Sequence, residues 1–488
     1  MSTQGGSRRS RDGTPPATVD RRSDRPSDGR YTVMDVDLAV LGGTLVTPAG
    51  VRRADVLVRD GAIAGLVNDG RGAGAARTVD ADGLHVLPGF VDTHVHLMDP
   101  GPTEREDFPT GTAAAAAAGV TTIVDHTHAA PVRTPLELHE KVRAVRGRSH
   151  VDFGLAAHVW PDRLVAIEET WAAGVSFFKI FTCATHGVPA VEGDDLRSAF
   201  TRIAAVDGRC LVHAEDDALT RDAEAALRTA GRSDGGLLPE WRSREAERSA
   251  VRAACDLAVE TGVAATIAHV SSPEVADLIE HARARGADLA AEACPQYLTL
   301  FEDEVHEHGA FRKFTPPARA REDTHLDAMW RLLADGVLTH VATDHAPATR
   351  EQKLAGDIWE APFGLPGLDT TSRVLFDAVA EGRLRWPDVA RAYAEAPAAR
   401  YRLRSKGRLE PGADADLVLV DPHAAVTIRD EDVLSKAGWT PYAGRVTRGD
   451  TVATFLRGRE IARDRRPTAG LEGRFLPGPG SPDPRRRG

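Results

Sequence analysis

The sequence predicts an α/β fold: a (β/α)8 TIM barrel carrying a small accessory β-sandwich domain built from both chain ends. Eight short apolar runs alternate with helical segments across residues 88–401, and a barrel of this kind takes ~250 residues or more with insertions. Both chain ends instead show short alternating runs broken by Gly-Gly, Asp-Gly and Pro-Ala-Gly turns, and neither end is large enough to bury a core alone. Polar side chains of metal-binding type recur at the C-terminal ends of the central strands, where barrel enzymes place their chemistry. This third observation favours the barrel over a doubly wound open sheet.

Taken in order, residues 1–33 are rich in Arg, Ser, Asp, Gly and Pro and have almost no large apolar side chains to offset the entropy of ordering. They read as a disordered extension. Organised sequence begins directly after Met34, so translation from Met34 in place of Met1 would still yield the whole folded unit. Residues 34–87 and 402–463 form the accessory β-domain, through runs at 38–41, 44–46, 54–58 and 62–66 and again at 415–420 and 452–458. Barrel strands are expected at 85–92, 121–125, 151–157, 175–181, 210–213, 264–270, 288–293 and 337–343, with an alanine-rich helix at 113–118. Residues 464–488, again rich in Pro, Gly and Arg, are expected to be a flexible tail.

Composition narrows the function. The 488 residues carry 61 Lys+Arg against 72 Asp+Glu, a formal net charge of -11, so no basic surface points to nucleic acid or an anionic membrane. Small molecules or further copies of the chain are the expected partners. Cys183, Cys210, Cys255 and Cys294 include no Cys-x-x-Cys pair, which argues against a disulfide framework and for a reducing, cytoplasmic compartment. No stretch approaches the ~20 uninterrupted apolar residues of a membrane span, and the N-terminus has no apolar signal-peptide core.

The chemistry starts at Pro88-Gly89-Phe90-Val91-Asp92-Thr93-His94-Val95-His96. His94 and His96 lie two residues apart at a strand end and therefore share a face, which makes half of a metal site. Alone, they fit a hydrogen-bonded strand end equally well. His213, His269 and Asp344 follow at other strand ends, and each has its own plain reading, as core histidines or a helix cap. With Lys179 in the fourth strand the set spans five strands, and five such coincidences outweigh the separate explanations. Lys179 is the most informative member, because an ammonium inside Val175-Ser176-Phe177-Phe178-Lys179-Ile180-Phe181 costs several kcal/mol if left unpaired. Depression of its pKa would let the neutral amine capture carbon dioxide as a carbamate, whose two oxygens can bridge two divalent ions.

These stretches, with Phe-Lys-Ile-Phe at Phe178, Val-His-Ala-Glu at Val212, Ala-His-Val-Ser-Ser at Ala268, Glu-Ala-Cys-Pro-Gln-Tyr-Leu at Glu292, Thr-Asp-His-Ala-Pro at Thr343 and Pro-Gly-Ala-Asp-Ala-Asp-Leu-Val at Pro411, resemble the cyclic amidohydrolases. That group contains dihydroorotases, allantoinases and hydantoinases. The resemblance implies that His94 and His96 hold the more buried metal and His213 and His269 the more exposed one. N6-carboxylated Lys179 would bridge both, and Asp344 would be ligand and proton shuttle. It implies a hydrolase acting on carbon–nitrogen bonds in cyclic amides, in which a metal-bridging hydroxide attacks the ring carbonyl and Asp344 passes the proton to the leaving nitrogen. Two divalent ions are expected, zinc by default, and a homo-oligomer, a tetramer, is what the group implies.

Three departures speak against dihydroorotate itself. Met98 stands where dihydroorotases usually have Arg, no Asn is visible in Asp125-His126-Thr127-His128-Ala129-Ala130-Pro131, and Ala348 replaces a frequent His. Ala184 stands where hydantoinases usually carry Tyr, whereas residues 99–108 look most like allantoinase. The leading expectation is an allantoinase- or hydantoinase-like enzyme. The alternatives are a dihydroorotase-like enzyme on another cyclic amide, a catalytically silent scaffold of the same fold, and a mononuclear deaminase, which Lys179 disfavours. Thr182, Thr315, Pro316, Gly364 and Gly367 are candidate substrate contacts, His126 and His128 are expected to line the mouth, with a substrate contact and then an extra metal ligand as the lesser alternatives, and Cys183 and Cys294 are read as packing.

Overall fold

The computed structural model describes residues 35–71 and 73–482. The extension at 1–33, the choice between Met1 and Met34, and residues 483–488 of the tail lie outside the described residues. Eight parallel strands follow one another as Phe90–Val95, Val120–Asp125, a third strand in two pieces (Asp152–Leu155 and Ala157–His158), Phe178–Phe181, Arg209–His213, Ala264–Ile267, Leu289–Ala293 and His340–Val341. Their ladders form one sheet of three and one of six strands, and the third strand belongs to both, changing sheets at Ala156. First and last strands meet through a single parallel bridge between Val95 and His345, where the His96 amide donates to the His345 carbonyl at 2.8 Å. Val91, Val124, Ala156, Phe177, Leu211 and Ala268 share one buried cluster with Ala398, Tyr401 and Leu403. The interior is therefore a packed core, not a pore.

The two chain ends share one sheet. Leu417–Thr427 pairs antiparallel with His85–Pro88, which pairs in turn with Thr44–Thr47. A four-stranded sheet, ordered Ala62–Val67, Asp55–Arg59, Asp35–Leu41 and Gly74–Asp80, packs over it around Leu38, Val40, Leu45, Val56, Leu417 and Phe455.

Two expectations need correction. The apolar run at 85–92 is two strands, because residues 85–88 belong to the accessory sheet and the barrel begins at Phe90. The change happens at Gly89, where a Cβ would lie 2.2 Å from Thr121 Oγ1 and 2.9 Å from Asp416 Cβ, so only hydrogen fits between the two domains. The tail is also held, not free, as far as residue 482. The Phe153 amide donates to the Arg474 carbonyl at 2.9 Å and the Leu476 amide to the Phe153 carbonyl at 2.7 Å, so the tail lies along the third barrel strand through a single parallel bridge at Phe475. Pro and Gly content predicted fraying, but main-chain pairing does not depend on side-chain hydrophobicity.

A buried charge cluster ties barrel to sandwich. Lys406 Nζ lies 2.6 Å from Asp152 Oδ2, 2.7 Å from Asp414 Oδ2 and 2.9 Å from Asp416 Oδ2, and Arg457 also pairs with Asp152. Burial presses the Lys406 pKa down, but the three carboxylates outweigh it and hold the ammonium above its ordinary value. Lys406→Met would leave Asp152 and Asp416 buried without their central cation, and is expected to cost about 3–5 kcal/mol. Calorimetric unfolding checks this; an unchanged Tm would show that the cluster contributes nothing net. Among the described residues no helix is long and apolar enough to cross a membrane, and the four cysteines are free and buried.

Candidate active site

The strand ends bring six sequence-predicted residues to one cavity: His94, His96, Lys179, His213, His269 and Asp344 all line it. His94 Nδ1 donates to Glu292 Oε1 at 2.6 Å, which leaves Nε2 3.0 Å from Asp344 Oδ1 and 3.2 Å from Lys179 Nζ. His96 Nδ1 donates to the His126 carbonyl at 3.1 Å and turns Nε2 to Asp344 Oδ1 at 3.4 Å. On the other side His213 Nε2 donates to Glu215 Oε2 at 2.7 Å, and its Nδ1 faces His269 Nε2 at 2.9 Å. Thr315 Oγ1 at 2.7 Å and Arg242 Nη1 at 3.4 Å fix Glu215 from behind. Each carboxylate thus sets a ring orientation and leaves the other nitrogen aimed inward.

Electrostatics in this buried ring follow from desolvation. Desolvation lowers Lys179 to about 8, only partly opposed by Asp344 and Glu292. Desolvation also pushes His269 well below its ordinary value and lowers His96 and His213. His94 is the exception: burial presses it down, but Glu292 and Asp344 leave it raised. Asp344 resists burial through His94 and His96 and stays well below the usual carboxylate range. The backbone is strained at two of the six, with φ of 36° at His269 and 49° at Asp344, each costing of order 1–3 kcal/mol for a residue with a Cβ. Asp92 helps hold that turn by accepting from the Thr343 amide at 3.2 Å and from Tyr393 Oη at 3.0 Å.

The donor set fits metal binding. Ring nitrogens of His213 and His269 face each other with His269 Nδ1 left without a partner, and the His94 and His96 nitrogens converge on one carboxylate oxygen. Imidazoles and a carboxylate converging in a buried site are what a divalent cation needs.

Comparison with known proteins agrees. The amidohydrolase family model matches residues 85–461, most of the chain. The chain belongs to the amidohydrolase family. It is 38% identical over 450 residues to an allantoinase of Rubrobacter xylanophilus, covering 90% of this chain and 97% of that protein. It is 36% identical over 405 residues to a dihydroorotase of Halobacterium salinarum, covering 80% and 92%. Among solved structures it resembles the L-hydantoinase (dihydropyrimidinase) from Arthrobacter aurescens, with a TM-score of 0.87, 30% identity and coverage of 91% of this chain and 100% of that one. Within the family it stands among the cyclic amidohydrolases, hydrolases of carbon–nitrogen bonds in cyclic amides.

Of the candidate substrate contacts in this amidohydrolase, Thr315 and Gly364 line the cavity. The other three brace it from behind. Thr182 Oγ1 donates to the carbonyls of His213 and Glu215, the Pro316 carbonyl accepts from Tyr297 Oη at 2.7 Å, and Gly367 abuts Thr343, where a Cβ would come within 2.9 Å. A position at a strand end or in a loop does not say whether a residue turns to the ligand or to a neighbouring segment. His128 lines the mouth, but His126 does not: it is buried against the rings of His94 and His96, with centroids 4.5 and 4.6 Å away. Met98 is fully buried in the core, away from the cavity. Burial pushes the Cys183 thiol up to about 12, consistent with packing.

Sequence reasoning missed Glu215 and Glu292 as partners of the histidines, and missed the cavity walls Phe181, Phe314 and Phe363. A signal for Glu292 was present: a lone carboxylate in the apolar run Leu289-Ala290-Ala291-Glu292-Ala293 must be paired once buried.

Proposed function

We propose that this amidohydrolase opens the C–N amide bond of a cyclic amide or ureide, as an allantoinase- or hydantoinase-like enzyme. His94, His96, Lys179, His213, His269 and Asp344 would hold two divalent ions, zinc by default. The observation that carries this reading is the Lys179 amine, buried among imidazoles with Nζ 3.2 Å from His94 Nε2 and with no ion-pair carboxylate among the described residues. A permanent ammonium there would be badly placed. Addition of carbon dioxide to the neutral amine forms a C–N bond, releases a proton and leaves an anionic carbamate, which suits a bridge between two cations. When bound, the ion pair supplies an acidified water as nucleophile and polarises the ring carbonyl. Asp344, ionised and 3.0 Å from His94 Nε2, accepts the nucleophile's proton and delivers it to the departing ring nitrogen. Phe181, Phe314 and Phe363 keep bulk water from the reacting bond. Gly364, with φ at 110°, lets this wall of the cavity pack against Ala346, whose carbonyl a Cβ would strike at 2.2 Å.

The mouth supports a neutral ring over dihydroorotate. Its basic side chains already serve the protein: Arg105 Nε donates to the Pro347 carbonyl at 2.9 Å, and Lys313 Nζ to the Ile358 and Trp359 carbonyls at 2.5 and 3.0 Å. A panel of allantoin, 5-substituted hydantoins, dihydrouracil, dihydroorotate and lactams, run with metal-loaded enzyme, should show turnover of allantoin or hydantoins and little of dihydroorotate. Dihydroorotate as best substrate would overturn the specificity, and inertness towards the whole panel would overturn the activity. Glu292→Gln should weaken metal retention by roughly 10- to 100-fold in chelator competition, because the His94 ring loses its charged partner. Unchanged retention would remove Glu292 from the design. We place the enzyme in the cytoplasm, as a homo-oligomer acting on a small molecule; the four buried free thiols support a reducing compartment.

A further inference from the structure

His126 stands apart from the family's ligand pattern. Along residues 125–128 the side chains alternate: Asp125 takes the Leu97 amide at 2.8 Å and pairs with Lys141, Thr127 Oγ1 accepts from the Met98 amide at 2.7 Å, and His126 turns the other way, into the barrel. There it is 1% exposed, and neither ring nitrogen has a hydrogen-bond partner. Buried imidazole nitrogens are ordinarily paired; both are also unpaired at His158 and His340, and what sets His126 apart is that its free nitrogens lie beside His94 and His96. One ligand nitrogen each of His94, His96 and His126 lie within 4.8 Å of one another. Around a single ion at roughly 2.1 Å from each nitrogen, donors sit up to about 4.2 Å apart, a difference that small ring rotations close.

We infer that His126 is a further metal ligand, the third imidazole on the ion held by His94 and His96. The inference rests on the metal-binding reading above. Its backbone is already tied to the strand that carries the other two, through the His126 amide to the Val95 carbonyl at 3.0 Å and through its own carbonyl to His96 Nδ1 at 3.1 Å. Only the side-chain torsions have to adjust. A third imidazole makes this ion's environment richer in nitrogen than that of the ion at His213 and His269. It should therefore favour zinc or nickel over manganese at that position.

The test uses the full-length chain. His126→Phe keeps the ring's shape and removes both nitrogens, and His126→Gln keeps a polar group of shorter reach should the first variant fail to fold. Metal content per chain is measured after dialysis against graded chelator, alongside the visible absorption of the cobalt-substituted protein. One of two ions should be lost at a chelator concentration at least about 10-fold lower than for the unmodified chain, with an altered cobalt spectrum. X-ray absorption of unmodified protein carrying one zinc per chain should show three imidazoles, not two. Two imidazoles, or unchanged retention and spectrum in both variants, would overturn the inference and leave the binuclear reading intact. Failure of the unmodified chain to retain any divalent ion would overturn both.

Discussion

Lys179→Ala is expected to lower kcat by roughly 1,000-fold or more, the scale on which one electrostatic contact to the reacting oxygen is felt. The side chain is buried in the middle of the site, 3.2 Å from His94 Nε2 and over the Phe181 ring at 5.1 Å, so no neighbouring group can take its place. Metal content should fall with activity, because the proposed bridge is lost. Acetate or propionate, small enough to enter the vacated volume and carrying the same two oxygens as a carbamate, should restore part of both. Circular dichroism melting of the variant separates this outcome from simple unfolding. Full activity without added carboxylate would favour a single-metal enzyme over the bridged pair.

Asp344→Asn should reduce kcat by about 100- to 10,000-fold, the range contributed by a positioned general acid–base group, while KM changes little. Asparagine keeps the shape, so the turn with φ of 49° and the cavity should survive. It cannot take up a proton near neutral pH. The kcat-against-KM split is therefore the informative reading: a large rise in KM with kcat preserved would mean that Asp344 binds substrate and does not move its proton.

How much of this was legible depends on the range of the physics involved. Alternation of period two placed His94 and His96 on one face, and an ammonium in an apolar strand marked Lys179, because both signals are local. The break at Gly89 was hidden, since apolar residues on its two sides read as one strand although they belong to different sheets. The packed tail was hidden for a related reason: Phe153 holds Arg474 and Leu476 through main-chain groups, which composition does not report. Thr182 ends the fourth barrel strand and Gly367 lies in the loop after the eighth, yet both pack on neighbouring segments and not on the cavity, which neither periodicity nor position in a loop reveals.

By itself the sequence determined the α/β class, the six candidate ligands and the strand-end placement that makes them a set, because each of these follows from spacing or from the cost of burying a polar group. Only the tertiary structure decided which imidazole nitrogens are free. Glu292 meets His94 across 198 residues at 2.6 Å, and Glu215 turns His213 towards His269, both through contacts set when parallel strands wind into a barrel. It also moved His126 from the mouth to a buried position against the His94 and His96 rings. The physical reason is that a side chain's chemistry is written in its residue type, whereas its partner is chosen by packing between segments far apart in the chain.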